Sequence, residues 1–275
     1  MKVLICGGTG YIGNTVCNHF LNKGNIVANI GRKKHQNKAI SSFDINENFE
    51  NVINDFLPDA IIYLAASFDN SDPKEVIQVN ITIPLQLMIA NSEHKAKFIY
   101  IGSYWEFGSN NAEGIPIDLY SASKKSFCNF LEYFRTYCQF KCIHVVLYGT
   151  YGENDGRGKL LDYIIKQAVN NETIRMSPGE QLLNLCSVHD VAKELYKICI
   201  DETVKADEIL ICSEKEYSPK DLINIIKKQM DVEVEFGAKP YRNVELMKPI
   251  YPKSYNNIVL KDKIEDYITQ HLNIK

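Results

Sequence analysis

The run Val3-Leu4-Ile5-Cys6-Gly7-Gly8-Thr9-Gly10-Tyr11-Ile12-Gly13 sets three glycines at spacing three between an apolar strand and an amphipathic helix. That arrangement reads as a dinucleotide-binding turn. Gly7 permits the tight turn, Gly10 lets the main chain approach a pyrophosphate, and Gly13 lets the helix lie close to the strand with its N-terminal N–H groups facing the phosphates. The context agrees: Ile12, Val16 and Phe20 give the helix a buried face, and Asn25-Ile26-Val27-Ala28-Asn29-Ile30 supplies a second strand.

The rest of the first 150 residues continues the alternation. Strand-like runs at 2–6, 26–30, 60–65, 97–102 and 143–148 alternate with helical patterns near 11–23, 47–56, 74–93 and 119–137, which predicts an α/β, Rossmann-like doubly wound parallel sheet with helices on both faces. After about residue 150 the regularity weakens. The expected division is a dinucleotide-binding domain over 1–151 and 185–213, and a smaller α/β substrate lobe over 152–184 and 214–275. One helix in the lobe is well signalled, with Ser218 as N-cap, Pro219 at N1 and Asp221 three residues after the cap.

Composition narrows the class. A net charge of -3 gives no general attraction to nucleic acid or anionic membrane, and no apolar run is long enough to span a bilayer. The first strand begins directly after Met1 without a signal-like segment, so a cytoplasmic protein is expected. Eight cysteines lie scattered without the paired short spacings of a zinc site or a disulfide framework, so reduced thiols and no metal are expected.

Tyr120-Ser121-Ala122-Ser123-Lys124 opens a helix and puts a phenol and an ammonium on one face. A neighbouring ammonium favours phenolate, so the phenol gains a reason to exchange protons near neutral pH. Alone, such a pair is as easily a packed tyrosine beside a snorkelling lysine. The glycine turn, and Ser103 directly after the strand Phe98-Ile99-Tyr100-Ile101-Gly102, favour the catalytic reading.

Together these residues resemble the extended short-chain dehydrogenase/reductase family, over most of residues 1 to 215. Family-like points also include Asp44-Ile45, Ala65-Ala66, Asn80 and Ser187-Val188-His189-Asp190-Val191-Ala192. Within the family, the runs Gly149-Thr150-Tyr151-Gly152-Glu153-Asn154-Asp155, Met176-Ser177-Pro178-Gly179-Glu180-Gln181 and Pro240-Tyr241-Arg242-Asn243-Val244-Glu245 look most like nucleotide-sugar 4-ketoreductases of the CDP-abequose and CDP-paratose synthase type.

The resemblance implies a catalytic trio of Ser103, Tyr120 and Lys124. Tyr120 donates a proton to a ketone oxygen that Ser103 holds in line, while Lys124 holds the nicotinamide ribose and lowers the Tyr120 pKa. It implies cofactor contacts from Gly7, Thr9, Gly10, Tyr11, Ile12 and Gly13, from Gly31, Arg32 and Lys33, from Asp44 and Ile45, and from Leu64, Ala65, Ala66, Asn80, Tyr120, Lys124 and Leu147. Candidate substrate residues are Ser67, Tyr104, Trp105, Gly149, Lys159, Arg175 and Arg242. NAD-preferring members carry an acidic residue where this chain has Gly31, followed here by Arg32, Lys33 and Lys34. Cations with no carboxylate favour NADP, with NAD as the alternative.

Three departures refine the expectation. Dehydratases of the family carry an Asp-Glu pair after the catalytic threonine, and this chain has Tyr104-Trp105, with Glu106 one position out of step. GDP-fucose synthases carry a cysteine and a histidine that fall at Trp105 and Asn154. An arginine that often grips the sugar diphosphate falls near Leu183, so diphosphate recognition must rest elsewhere. The expected activity is NADPH-dependent reduction of the C4 ketone of a nucleotide-linked 4-keto-6-deoxysugar for surface-polysaccharide biosynthesis, by a homodimer paired through helices near 74–93 and 119–137. A 4-epimerase that retains NAD, and a noncatalytic NADP-sensing regulator, are the alternatives.

Overall fold

The structure, a computed structural model, describes residues 1–109, 112–203 and 207–272. The dinucleotide-binding half runs β1 (Lys2–Cys6), α1 (Tyr11–Asn22), β2 (Ile26–Gly31), β3 (Ser41–Asp44), α2 (Phe49–Phe56), β4 (Ala60–Tyr63), α3 (Pro73–Ile77), a π turn (Gln78–Thr82), α4 (Ile83–Ala90) and β5 (Lys97–Ser103). A 3₁₀ turn (Tyr104–Phe107) and a small hairpin of β6 (Gly108–Ser109) and β7 (Ala112–Glu113) lead to α5 (Leu119–Cys138) and β8 (Cys142–Leu147). The remainder comprises β9 (Gly149–Tyr151), α6 (Leu160–Val169), β10 (Ile174–Met176), β11 (Leu183–Ser187), α7 (Val188–Ile200), β12 (Glu208–Ser213), β13 (Glu216–Tyr217), α8 (Pro219–Lys227), β14 (Val234–Phe236), β15 (Asn256–Leu260) and α9 (Ile264–Leu272).

Eight strands form one parallel sheet in the order β15-β12-β8-β5-β4-β1-β2-β3. The order reverses between β1 and β4, and ligands bind at such a switch point in doubly wound sheets. The central strands read as continuous apolar runs because both of their faces are covered. On β1, Val3 and Ile5 pack with Val16 and Phe20 of α1 and Leu195 of α7. Leu4 and Cys6 pack on the opposite face with Phe49 and Val52 of α2, Leu87 of α4 and Phe127 of α5.

The glycine turn has the conformation its sequence implies. Gly7 has φ +88°, and a Cβ there would lie 2.7 Å from the Ala65 nitrogen. At Gly13 a Cβ would lie 2.1 Å from the Gly7 carbonyl oxygen, so α1 starts where only glycine fits. α5 begins at Asp118, whose carboxylate accepts the Ser121 N–H at 2.8 Å, and it stops at Gln139 in the left-handed region.

A second core, built from Ile164 and Ile165 of α6, Leu222 and Ile226 of α8, and Ile264 and Ile268 of α9, forms the smaller lobe. The capping box of Ser218 and Asp221 opens α8 as the sequence implies. The sheet departs from the expected domain boundaries in two places. β15, inside the 214–275 span, joins the main sheet beside β12, whereas β9, inside the 1–151 span, leaves it and pairs with β11. β15 is an exposed edge strand in which Asn256, Asn257 and Val259 face solvent and only Leu260 is buried, so its sequence carries no period of two. Residues 110–111, 204–206 and 273–275 of the expected spans lie outside the described residues. No helix among the described residues is long and apolar enough to cross a membrane.

Candidate active site

The carboxyl ends of β1, β2, β4, β5 and β8 deliver most of the expected residues to one edge of the sheet. Gly7 follows β1, Gly31 ends β2 opposite Asp44 of β3, Leu64 to Ser67 follow β4, and Ser103 ends β5 opposite Leu147 of β8. Ile45 donates its N–H to the Gly31 carbonyl, and Leu64 donates to Cys6, so the loops continue the sheet register.

Ser103 ends β5, and Tyr120 and Lys124 lie one turn apart near the start of α5. Ser103 is buried and caps the 3₁₀ turn, accepting the Trp105 N–H at 3.4 Å, and its hydroxyl draws the Tyr120 pKa down. Lys124 is fully buried; its Nζ donates to the Ile101 carbonyl at 3.0 Å and the Ala65 carbonyl at 3.4 Å, bridging the ends of β5 and β4. Burial pushes this ammonium down to about 8 against the attraction of Glu106. Burial pushes the half-buried Tyr120 phenol well above its ordinary value, and the Ser103 hydrogen bond pulls in the opposite direction. Burial therefore outweighs the expected lowering of Tyr120 by Lys124, whose ammonium donates to two carbonyls. The loop after β4 holds the front of α5: the Asn70 side-chain Oδ1 accepts the Tyr120 N–H at 2.8 Å, and its Nδ2 donates to Asp118 at 3.1 Å.

Asn80, expected as a cofactor contact, is held by partners within the protein. It is fully buried in the π turn, accepting from Ser67 N at 3.0 Å and donating to Ser67 O at 2.7 Å and Ser123 Oγ at 2.9 Å. Both amide N–H groups and one lone pair of the amide oxygen are committed to the protein, so it shapes the site by fixing Ser67.

The expected cation cluster after β2 also gains a partner that the sequence does not reveal. Arg32 pairs with Glu75 at the start of α3, Nη1 to Oε1 3.0 Å, so the region does contain a carboxylate. The ion pair is exposed, and such pairs are weak enough to be rearranged by a phosphate.

At the open side, Tyr104 stacks on Tyr148 with ring centroids 5.1 Å apart, and Trp105 meets Tyr120 edge-on at 6.5 Å. The Arg242 guanidinium sits 5.6 Å over the Trp105 ring, so Trp105 lines the site mouth. Although Lys159 keeps exposed surface, loss of hydration and then the charges of Arg157 and Arg242 push its ammonium below the lysine range, which places three cations near one another. Neither Lys159 nor Arg242 is ion-paired among the described residues, whereas Arg157 binds Asp155 and Thr150 and lies 4.4 Å over the Tyr11 ring. Arg157 was not a candidate from sequence, because the loop from β9 to α6 that aims it has no periodic signal. Arg175 lies on β10, where its Nε pairs with Glu235 at 2.8 Å. Gly149 lies on β9 against Leu185.

The residues fit a bound dinucleotide. The close approaches at Gly7 and Gly13 form a cradle that any side chain would fill, and the buried Tyr11 hydroxyl at the start of α1 has no hydrogen-bond partner. A helix N-terminus with a free donor beside it suits a pyrophosphate.

The sequence pattern of the NAD dependent epimerase/dehydratase family matches residues 3–211. The chain is 34% identical to the CDP-abequose synthase of Yersinia pseudotuberculosis, with 99% of each chain covered. It is 25% identical to the CDP-abequose synthase of Salmonella muenchen, over 90% of this chain and 87% of that one. Among solved structures, the UDP-N-acetylglucosamine 4-epimerase from Methanobrevibacter ruminantium M1 in complex with UDP-N-acetylmuramic acid superposes with a TM-score of 0.82 at 19% identity, covering 98% of this chain and 96% of that one.

Proposed function

This chain belongs to the NAD dependent epimerase/dehydratase family, and we propose that within it the protein is a cytoplasmic NADPH-dependent reductase of the C4 ketone of a nucleotide-linked 4-keto-6-deoxysugar. The chain is an oxidoreductase-type nucleotide-sugar enzyme; the finer assignment rests on one observation. The Ser103 hydroxyl acts on the Tyr120 phenol, drawing its pKa down, beside a buried Lys124, while the two positions that hold a carboxylate pair in dehydratases are Tyr104 and Trp105. A proton donor is present, and no carboxylate pair flanks it.

When bound, the cofactor supplies hydride to the ketone carbon. Tyr120 hands its proton to the ketone oxygen, which the Ser103 hydroxyl holds in line. Burial keeps Tyr120 protonated until that moment, which suits an acid. Lys124, with two carbonyl acceptors at the ends of β4 and β5, would hold the ribose hydroxyls of a cofactor bound at the switch point. Arg157, Lys159 and Arg242 supply positive charge for the substrate diphosphate, and Trp105 supplies a stacking face. Arg32, with Lys33 beside it, receives the 2'-phosphate. Ile89, Tyr133 and Tyr137 are exposed apolar residues on α4 and α5, which supports a homodimer through these helices.

The test is NADPH oxidation against a panel of nucleotide-linked 4-keto-6-deoxysugars headed by the CDP-linked compound. One NADPH consumed per sugar reduced supports the assignment. Interconversion of 4-hydroxyl epimers on tightly held NAD, with no net NADPH use, makes the protein a 4-epimerase.

A further inference from the structure

Behind Ser103 lies a buried polar cluster that the reaction above does not use. Glu106, from the 3₁₀ turn, is 2% exposed and His144, from β8, is 0% exposed. The Glu106 carboxylate accepts the Ser103 N–H at 2.6 Å, and its second oxygen lies 3.4 Å from His144 Nε2. His144 Nδ1 meets the Tyr255 hydroxyl at 3.3 Å, and Cys128 Sγ of α5 lies 3.5 Å from Nδ1 and 3.8 Å from Nε2. Because the sulfur is almost equidistant from the two nitrogens, it rests against the ring and lies off both in-plane lone pairs. Hydrogen bonds join Glu106, His144 and Tyr255, and with the sulfur off both lone pairs the atoms are not arranged as ligands of one metal ion. Gly102 makes the packing possible, since a Cβ there would come within 2.2 Å of His144 Nε2 and 2.6 Å of Glu106 Oε1.

Two buried charges lose more hydration than a well-packed apolar pair, so their presence calls for an account other than stability. The geometry points to one. We propose that Glu106 and His144 are positioning residues for the Ser103 and Tyr120 proton donor: Glu106 fixes Ser103 through its backbone N–H, and the imidazolium of His144 partly offsets the carboxylate's field at Tyr120 and Lys124. This inference rests on the catalytic trio proposed above. Burial pushes His144 down, but Glu106, then Cys128, outweigh it and hold the imidazole at about 10, so it is cationic at neutral pH. The groups facing it are Glu106, Cys128 and Tyr255, with the Tyr100 ring 6.1 Å away. Glu106 also reaches the site, raising both Tyr120 and Lys124; Tyr120 further faces Asp118 and Tyr104, and Lys124 faces Cys6 and Cys128.

The account separates the brace from the charge. In Glu106→Gln the amide oxygen still accepts the Ser103 N–H, His144 loses its reason to be charged, and the pair remains neutral overall. Turnover then stays within about threefold, whereas Glu106→Ala loses the acceptor and falls on the order of tenfold to a hundredfold, with NADPH affinity unchanged. His144→Gln leaves the carboxylate unbalanced, so the alkaline limb of the kcat profile moves to higher pH, while in Glu106→Gln it stays in place. A readout free of turnover is the imidazole nitrogen NMR signal of His144, which is protonated from pH 6 to about 9 in the unaltered protein and neutral at pH 8 in Glu106→Gln. Equal losses in Glu106→Gln and Glu106→Ala, an unmoved limb in His144→Gln, or a neutral His144 in the unaltered protein at pH 8 overturns the proposal. If no keto sugar is reduced, the NMR arm still decides the charge state, so the two readings fail separately.

Discussion

The Arg32 and Glu75 pair makes the cofactor assignment quantitative. Both side chains are exposed, by 78% and 36%, and lie 3.0 Å apart, so their mutual attraction is worth about 0.2–1 kcal/mol in water. A charge-assisted contact from Arg32 to a 2'-phosphate is worth about 1.5–3 kcal/mol. Taking the phosphate means giving up or sharing Glu75, which leaves a net of about 0.5–2.8 kcal/mol, or about 2- to 110-fold in Kd. Arg32→Ala should therefore weaken NADPH by that factor and leave NADH almost unchanged. Glu75→Gln should act oppositely, tightening NADPH by about 1.4- to 5-fold because Arg32 is freed and a repelling carboxylate is gone. Fluorescence titration of both cofactors, at one fixed ionic strength, measures all four values. A Glu75→Gln variant that binds NADPH more weakly, or an Arg32→Ala variant that weakens NADH equally, refutes the reasoning.

The other predictions concern the site and the turn. Tyr120→Phe removes only the hydroxyl, so NADPH titration should be unchanged while turnover falls by about 10²–10⁴; near-normal turnover excludes Tyr120 as the proton donor. Gly13→Ala puts a Cβ 2.1 Å from the Gly7 carbonyl oxygen, costing about 1–3 kcal/mol of strain, so Tm should drop by about 2–10 °C and NADPH affinity should fall with it; an unchanged Tm contradicts the close approach. Lys124 reaches about 8 through burial, whereas an unfolded chain holds that proton up to about 10.4. The unfolded state binds more protons between these values, so the folded state gains stability as pH rises through them. Lys124→Met should thus be the more stable protein at pH 7, by up to about 3 kcal/mol, with a Tm advantage that closes toward pH 10; an advantage that widens with pH contradicts the burial of the ammonium.

Most of the dinucleotide-binding half was legible because its signals are local. The glycine spacing, the apolar run of β1 and the Tyr120 to Lys124 interval each lie within a few consecutive residues. β3 and β15 were not legible because they are the edge strands, where Ser41, Asn256 and Asn257 face solvent and the apolar pattern is lost. Long-range electrostatics was equally hidden. Glu75 lies 43 residues from Arg32 in sequence, so the cation cluster looked free of carboxylates. Glu106 looked like a dehydratase carboxylate out of step, and only the turn of the chain after Ser103 shows that it points into the core toward His144. The Tyr120 pKa was read from its neighbour in sequence, whereas burial among Ser103, Glu106 and Tyr104 dominates it.

Transfer of a labelled hydride tests the central assignment most directly. With NADPH carrying deuterium at the transferring position of its nicotinamide, and a nucleotide-linked 4-keto-6-deoxysugar in ordinary water, each product molecule should gain one deuterium, bound to C4, for each NADPH oxidised. Tyr120→Phe should slow that transfer without redirecting it. Product with no deuterium at C4, or sugar turnover on enzyme-held NAD without consumption of the labelled cofactor, contradicts ketoreduction by Ser103, Tyr120 and Lys124.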